Sequence, residues 1–282
     1  MLGQPRSTQR HRPKVRDDEP ALLSRIEALV QRHPRYGYRR IWALLRAEGW
    51  RMNRKRVYRL WKTKGYKVPR KQVKRRRVGI SANGIVRHRA TGINDIWCWD
   101  FVHDRDEKGR ALKWLMIEDE FTREGLALEV ARSIKAEDVL DVLSELMAIR
   151  GAPQHIRSDN GPEFIARSIR RFLAQAGVQT LYIEPGAPWQ NGYAESFNSR
   201  LRDELLSQEM FADVKEAASL ADHWRNHYNH RRPHSSLGYM TPAAFAASHG
   251  GPALRLGAAP LACAPARHAI ESSTLTLIGP GT

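Results

Sequence analysis

The chain has 282 residues, enough for two domains with a buried core. Its formal net charge of +17 and pI near 10.4 call for a polyanionic partner. Two cysteines, Cys98 and Cys263, argue against a disulfide framework and fit a reducing cytoplasm. No long apolar run or lipidation signal points to a membrane, and the basic Met1–Arg16 has no signal-peptide pattern.

The charge divides the chain. Residues 1–90 hold 27 Lys and Arg against 5 Asp and Glu, whereas residues 91–282 hold 20 against 25. Residues 1–19 are polar, basic and expected to be flexible. Leu22, Leu23, Ile26, Leu29 and Val30 recur at helical spacing, predicting a helix over Pro20–Arg32. Ile41, Leu44 and Leu45 mark a second helix that Gly49 ends. Asn53 is placed to cap a third over Arg54–Lys64, with Val57, Leu60 and Trp61 inward and Arg54, Lys55, Arg56, Arg59 and Lys62 outward. Helix, tight turn and basic helix over residues 20–68 is the arrangement of helix-turn-helix modules, and DNA is the expected ligand. A solvated helical hairpin is the plainer alternative. Residues 69–90, with the run Arg70–Arg77, form a basic linker suited to phosphates.

A second domain is expected over residues 91–247. Ile96–His103, Ala111–Ile117 and Gly125–Val130 read as three strands with short links, hence an antiparallel meander. A helix over Ala136–Ile149 stops at Gly151, and a short strand over Gln154–Arg157 leads to Asp159. A helix over Ala166–Ala176, a fifth strand over Gln179–Ile183 and a long helix over Tyr193–Leu206 follow. A further helix covers Ala212–Arg225. From residue 248 to 282 the composition turns to Ala, Gly and Pro, and no stable core is expected. The β-β-β-α-β-α-β-α order predicts an α/β fold, a mixed five-stranded sheet with helices on its faces.

Three acids stand out against this frame. Asp100 ends the apolar run Ile96-Trp97-Cys98-Trp99. Asp159 sits in the turn Ser158-Asp159-Asn160-Gly161-Pro162, and Glu195 opens the last core helix, with 35 residues between Asp159 and Glu195. Acids on two strands and one helix can converge on shared cations, and oxygen-only ligation favours Mg²⁺ or Mn²⁺ over zinc. A chain with 30 acids also contains many fortuitous triplets. Asp119, in Glu118-Asp119-Glu120-Phe121-Thr122-Arg123, is the competing metal acid. Glu163 reads as exposed or peripheral. His223, His227, His230 and His234 invite a zinc reading, but no cysteine accompanies them and Tyr228–His234 reads as a helix end and a basic loop near DNA.

The blocks Trp97–Phe101, Arg157–Phe164 and Pro185–Arg202 resemble the integrase core of insertion-sequence transposases, specifically the second open reading frame product of the IS3 family in its IS407-like branch. The resemblance runs from about Pro20 to Phe245 and implies an RNase H-like integrase core behind a helix-turn-helix-like domain. It assigns Asp100, Asp159 and Glu195 as the catalytic, metal-binding triad, with two Mg²⁺ or Mn²⁺ ions. It places Arg202, seven residues after Glu195, on substrate phosphate. The amides and ring of Trp189, Gln190 and Asn191 could contact an unpaired base or simply pack the loop. The implied reaction is DNA strand cleavage and strand transfer at the element's terminal inverted repeats. Implied partners are end DNA, target DNA, further copies of the chain and an upstream-frame DNA-binding protein joined by frameshift, at the bacterial nucleoid. Two other readings stay open: a metal nuclease of the same fold without joining activity, and a non-catalytic DNA-binding remnant.

Overall fold

The computed structural model describes residues 10, 16–68, 88–158, 161, 164, 166–183 and 191–251. The basic run 70–77, Asp159, Asn160, Glu163, Trp189, Gln190 and the tail from 252 lie outside the described residues.

Three helices lead the core in chain order: α1 (Glu19–Arg32), α2 (Tyr38–Ala47) and α3 (Arg54–Thr63). Leu22, Ile26 and Leu29 fall at i, i+4 and i+7, so they share one face of α1 and meet Ile41 and Leu45 of α2 and Val57, Leu60 and Trp61 of α3 in a small core. Asn53 caps α3 as expected, its Oδ1 accepting from Lys55 N at 2.8 Å.

The second unit is one sheet with the strand order β3-β2-β1-β4-β5. Strands β1 (Ile96–Arg105), β2 (Ala111–Asp119) and β3 (Gly125–Ala131) form the expected antiparallel meander. Strands β4 (His155–Ser158) and β5 (Gln179–Tyr182) add in parallel to β1. The two-residue period of β1 sends Trp97 and Trp99 to one face, under α4 (Ala136–Arg150) and α5 (Arg167–Gln175). It sends Cys98 and Val102 to the other, under α6 (Gly192–Leu201) and α7 (Val214–His230). Asp100 lies between Cys98 and Val102 in this alternation and so belongs to the α6 face. This mixed sheet, covered on both faces and preceded by the helical unit, is the RNase H-like integrase fold.

Four elements depart from expectation. Strand β1 runs two residues past the expected His103, to Arg105, with Asp100 in mid-strand opposite Met116 of β2. The helix expected over Tyr193–Leu206 is α-helical only to Leu201 and widens into a π turn over Arg202–Leu206. The next helix runs on to His230, because Trp224 and Tyr228 continue its buried stripe. A short α8 (Pro242–Ser248) closes the described chain, with Thr241 Oγ1 accepting from Ala244 N. Helix α6 approaches the sheet closely at Gly125, where a Cβ would stand 2.9 Å from the Phe197 ring. Among the described residues no helix is long and apolar enough to cross a membrane.

Candidate active site

Asp100 is half-buried on the α6 face of β1. Its Oδ1 accepts from Phe101 N at 2.8 Å and its Oδ2 from Asn198 Nδ2 at 2.8 Å. Asn198 is 9% exposed and sits on the sheet-facing side of α6 with Ala194, Phe197 and Leu201. Glu195 lies one turn before Asn198 on the same helix, and residues three apart are surface neighbours about 5–6 Å between Cβ atoms. The fold therefore brings the helix position of Glu195 to the strand position of Asp100 through one amide. Glu195 itself is exposed, in the first turn of α6, where the helix field favours a carboxylate.

Asp159 lies outside the described residues. Ser158, the residue before it, is the last of β4, the parallel neighbour of β1. Arg202 is exposed where α6 gives way to the π turn. Asn191 is buried, 6% exposed, immediately before α6, as loop packing, the plainer of its two readings, would have it.

The competing acid Asp119 has a structural task. It is fully buried and accepts from Asn94 N at 2.9 Å, Phe121 N at 2.8 Å and Thr122 N at 2.9 Å, which shapes the turn between β2 and β3. Its neighbours are also satisfied internally: Glu120 with Arg157 at 2.7 Å and Glu124 with Arg150 at 2.6 Å. Glu118 faces the same side as Asp100, opposite Cys98. Burial pushes its carboxyl up to about 8, partly offset by Arg123. Burial and the nearby Glu118 also push the Cys98 thiol up. Sequence reasoning did not pick out Glu118. The only sign of it was a third acid beside two others at the end of an apolar strand.

The stretch Tyr228–His234 is not an open basic loop. Asn229 donates to Gly125 O and accepts from Gly125 N, both at 2.9 Å, across to β3. Arg232 is 1% exposed and forms two 2.7 Å bonds to Glu204 in the π turn. His234 Nε2 lies 2.9 Å from Tyr228 Oη, and burial followed by Arg232 lowers its pKa to about 3. These residues lock α7 to the sheet and to the π turn. The histidines of 223–234 form no three-ligand metal grouping among the described residues.

On α3 the basic face is partly neutralised. Arg54 and Lys55 are exposed as expected. Arg59 is 52% exposed yet bonds Glu19 at 2.8 Å. Arg56 departs from its expected outward position: its side chain is 11% exposed and is held by Asp18 at 2.6 Å, because the start of α1 packs beside α3.

Comparison with known proteins agrees with this fold. Residues 16–76 match the HTH-like domain family, and residues 90–188 and 176–242 match two integrase core domain families. The insertion element IS476 39.2 kDa protein of Xanthomonas euvesicatoria is 39% identical over 249 residues, covering 88% of this chain and 71% of the relative. The IS407 31.7 kDa protein of Burkholderia multivorans is 36% identical over 249 residues, covering 88% and 89%. The transposase InsD of insertion element IS2 in Escherichia coli is 30% identical over 238 residues, covering 81% and 79%. An integrase-type sheet behind an HTH-like domain, with this likeness to three insertion-element proteins along most of its length, places the chain in the IS3 family of insertion-sequence transposases, DNA transposases of the polynucleotidyl transferase class.

Proposed function

We propose that this transposase cuts the phosphodiesters at the terminal inverted repeats of its own element and joins the freed 3′ ends to target DNA, with divalent cations held by Asp100, Asp159 and Glu195. The observation that carries the reading is the bond from Asn198 to Asp100, which ties Asp100 to a residue one helical turn after Glu195. The donors fit the ions: carboxylate oxygens suit Mg²⁺ or Mn²⁺, and Asp100 is oriented by two N–H donors. Such ions, when bound, would supply Lewis acidity to the oxygens of a phosphoryl displacement.

The chain's own residues position the rest. Arg202, exposed beyond Glu195, neutralises the phosphate next to the scissile bond. Arg54 and Lys55 on α3, with Arg59 on the same helix, set the helical domain on the end DNA, and Trp189 contacts the bases near the cut. Water attack gives cleavage, and attack by a DNA 3′-hydroxyl gives strand transfer, so no Ser or Tyr nucleophile is required. Two ends held together imply an oligomer, and a frameshift-joined upstream DNA-binding protein would complete recognition.

The test is Mg²⁺-dependent processing of labelled end DNA by wild type and Glu195→Gln. Wild type is expected to nick the ends and to covalently join the labelled 3′ strand to a target, and the variant to do neither. Nicking without joining would indicate a nuclease of this fold. End binding without either reaction would indicate a non-catalytic remnant.

A further inference from the structure

Asp100 lies beyond the stretch where β1 pairs with β4, and the opposite end of that pair holds a second group of ligating side chains. Asp95 precedes β1, His155 opens β4, and their main chains are joined by His155 N donating to Asp95 O at 2.8 Å. His88 comes from the segment ahead of the core, where its carbonyl accepts from Arg157 Nη2 at 2.7 Å. Asp95 Oδ1 stands 3.4 Å from His155 Nδ1 and 3.7 Å from His88 Nε2. One ligand atom from each of the three lies within 4.8 Å of the others.

These separations are long for N–H···O bonds, whose usual length is about 2.9–3.0 Å. His155 Nδ1 is buried and makes no hydrogen bond. A tetrahedral cation with arms of about 2.0–2.1 Å holds neighbouring ligand atoms roughly 3.3–3.4 Å apart, close to the two separations seen here. The carboxylate is already aimed. Asp95 is 5% exposed, and its Oδ2 accepts from Thr91 N at 2.8 Å and Thr91 Oγ1 at 2.9 Å, which turns Oδ1 toward both rings. A ligating carboxylate is ordinarily held by such outer hydrogen bonds.

We propose that His88, Asp95 and His155 form a binding site for a divalent cation of the zinc class, with two imidazole nitrogens, one carboxylate oxygen and a fourth position for water. This donor set prefers Zn²⁺ or its first-row neighbours to Mg²⁺. The site is distinct from the carboxylate centre: five residues of extended strand, about 17 Å, separate Asp95 from Asp100. The ion ties the segment that enters the core to the first residues of β1 and β4. That role does not depend on whether the core cuts DNA.

The test uses the full-length chain dialysed against micromolar Zn²⁺, with metal content by mass spectrometry, and the Co²⁺ form read by visible absorption. Wild type, His223→Gln and Glu195→Gln should each hold one Zn²⁺ per chain and show tetrahedral Co²⁺ bands. His88→Gln and His155→Gln should retain less than about a tenth of the metal and lose the bands. His88 has a 51% exposed side chain, so its variant is expected to keep the wild-type circular dichroism, which separates lost binding from lost fold. No stoichiometric metal in wild type overturns the proposal. So does metal that persists in both His88→Gln and His155→Gln, or that disappears only in His223→Gln.

Discussion

The 2.8 Å bond from Asn198 to Asp100 is made by a buried amide to an acid. Hydrogen bonds to charged groups contribute about 1.5–3 kcal/mol, and every ~1.4 kcal/mol is a tenfold change in rate or affinity. Asn198→Ala should therefore slow end cleavage roughly 10–100-fold and raise the Mg²⁺ concentration needed for half-maximal rate, leaving the chain folded. Glu195→Gln should remove activity at any Mg²⁺ concentration. An Asn198→Ala enzyme with an unchanged Mg²⁺ titration would show that the bridge does not position Asp100. Glu118 makes a different claim. Its folded carboxyl titrates near 8 against an ordinary 4.5. Between those values the unfolded chain has lost a proton that the folded chain keeps, so Glu118 makes stability fall as pH rises from about 4.5 to about 8. Glu118→Gln removes that slope. Urea midpoints at pH 5 and pH 8 should show wild type losing more stability than the variant, by on the order of a few kcal/mol. Equal losses would mean that Glu118 does not stay protonated in the fold.

Helix α3 separates charge that is free from charge that is spent. Lys55 is exposed, whereas Arg56 is held by Asp18 and Glu19. Lys55→Ala should weaken end binding and reduce the slope of log K against log salt by about one, the signature of one lost phosphate contact. Arg56→Ala should change that slope by much less and instead lower the melting temperature of the helical domain, since it unties α1 from α3. Salt titrations by fluorescence anisotropy distinguish the two, and equal slopes for both variants would make Arg56 a phosphate ligand. Sequence could not separate them, because the partner of Arg56 lies 38 residues earlier and nothing in the helical period marks it. The same limit applies elsewhere. The apolar period of α1 to α3 and the apolar run that opens β1 are local and were legible. So were the cap at Asn53 and the stop at Gly151. The task of Asp119 depends on three backbone amides, and the burial of Arg232 depends on Glu204, 28 residues away. The π turn follows residues that read as uninterrupted helix. For the catalytic candidates, Asp100 and Glu195 stood out as residue types in their local patterns, but the Asn198 amide that bonds Asp100 from the helix of Glu195 did not.

The helical unit is docked on the core, and the π turn is the joint. Arg35 meets Asp203 at 3.6 Å and Arg40 meets Glu204 at 3.5 Å, while His33 stacks on His227 at 5.3 Å. Burial and then His33 lower the His227 pKa to about 4, so that ring is neutral at pH 7. A cavity of about 260 Å³ lies between these groups. The π turn begins at Arg202, so the segment proposed to offer a cation to DNA also carries the acids that receive the helical unit. π turns recur at functional positions because the extra residue re-aims the side chains that follow. Glu204 serves two masters: Arg232, 1% exposed, belongs to the core, and Arg40 belongs to the helical unit. Removing the acid leaves Arg232 buried without a counter-charge, which costs about 3–5 kcal/mol. Arg40 is more exposed and more distant, and its loss should cost roughly 1 kcal/mol or less. Thermal melts should therefore separate Glu204→Gln from Arg40→Gln, with the first lowered by roughly 6–20 °C and the second by only a few degrees. Limited proteolysis should show the helical unit loosened in both. Similar melting of the two variants would mean that Glu204 serves the docking alone and that Arg232 finds its stability elsewhere.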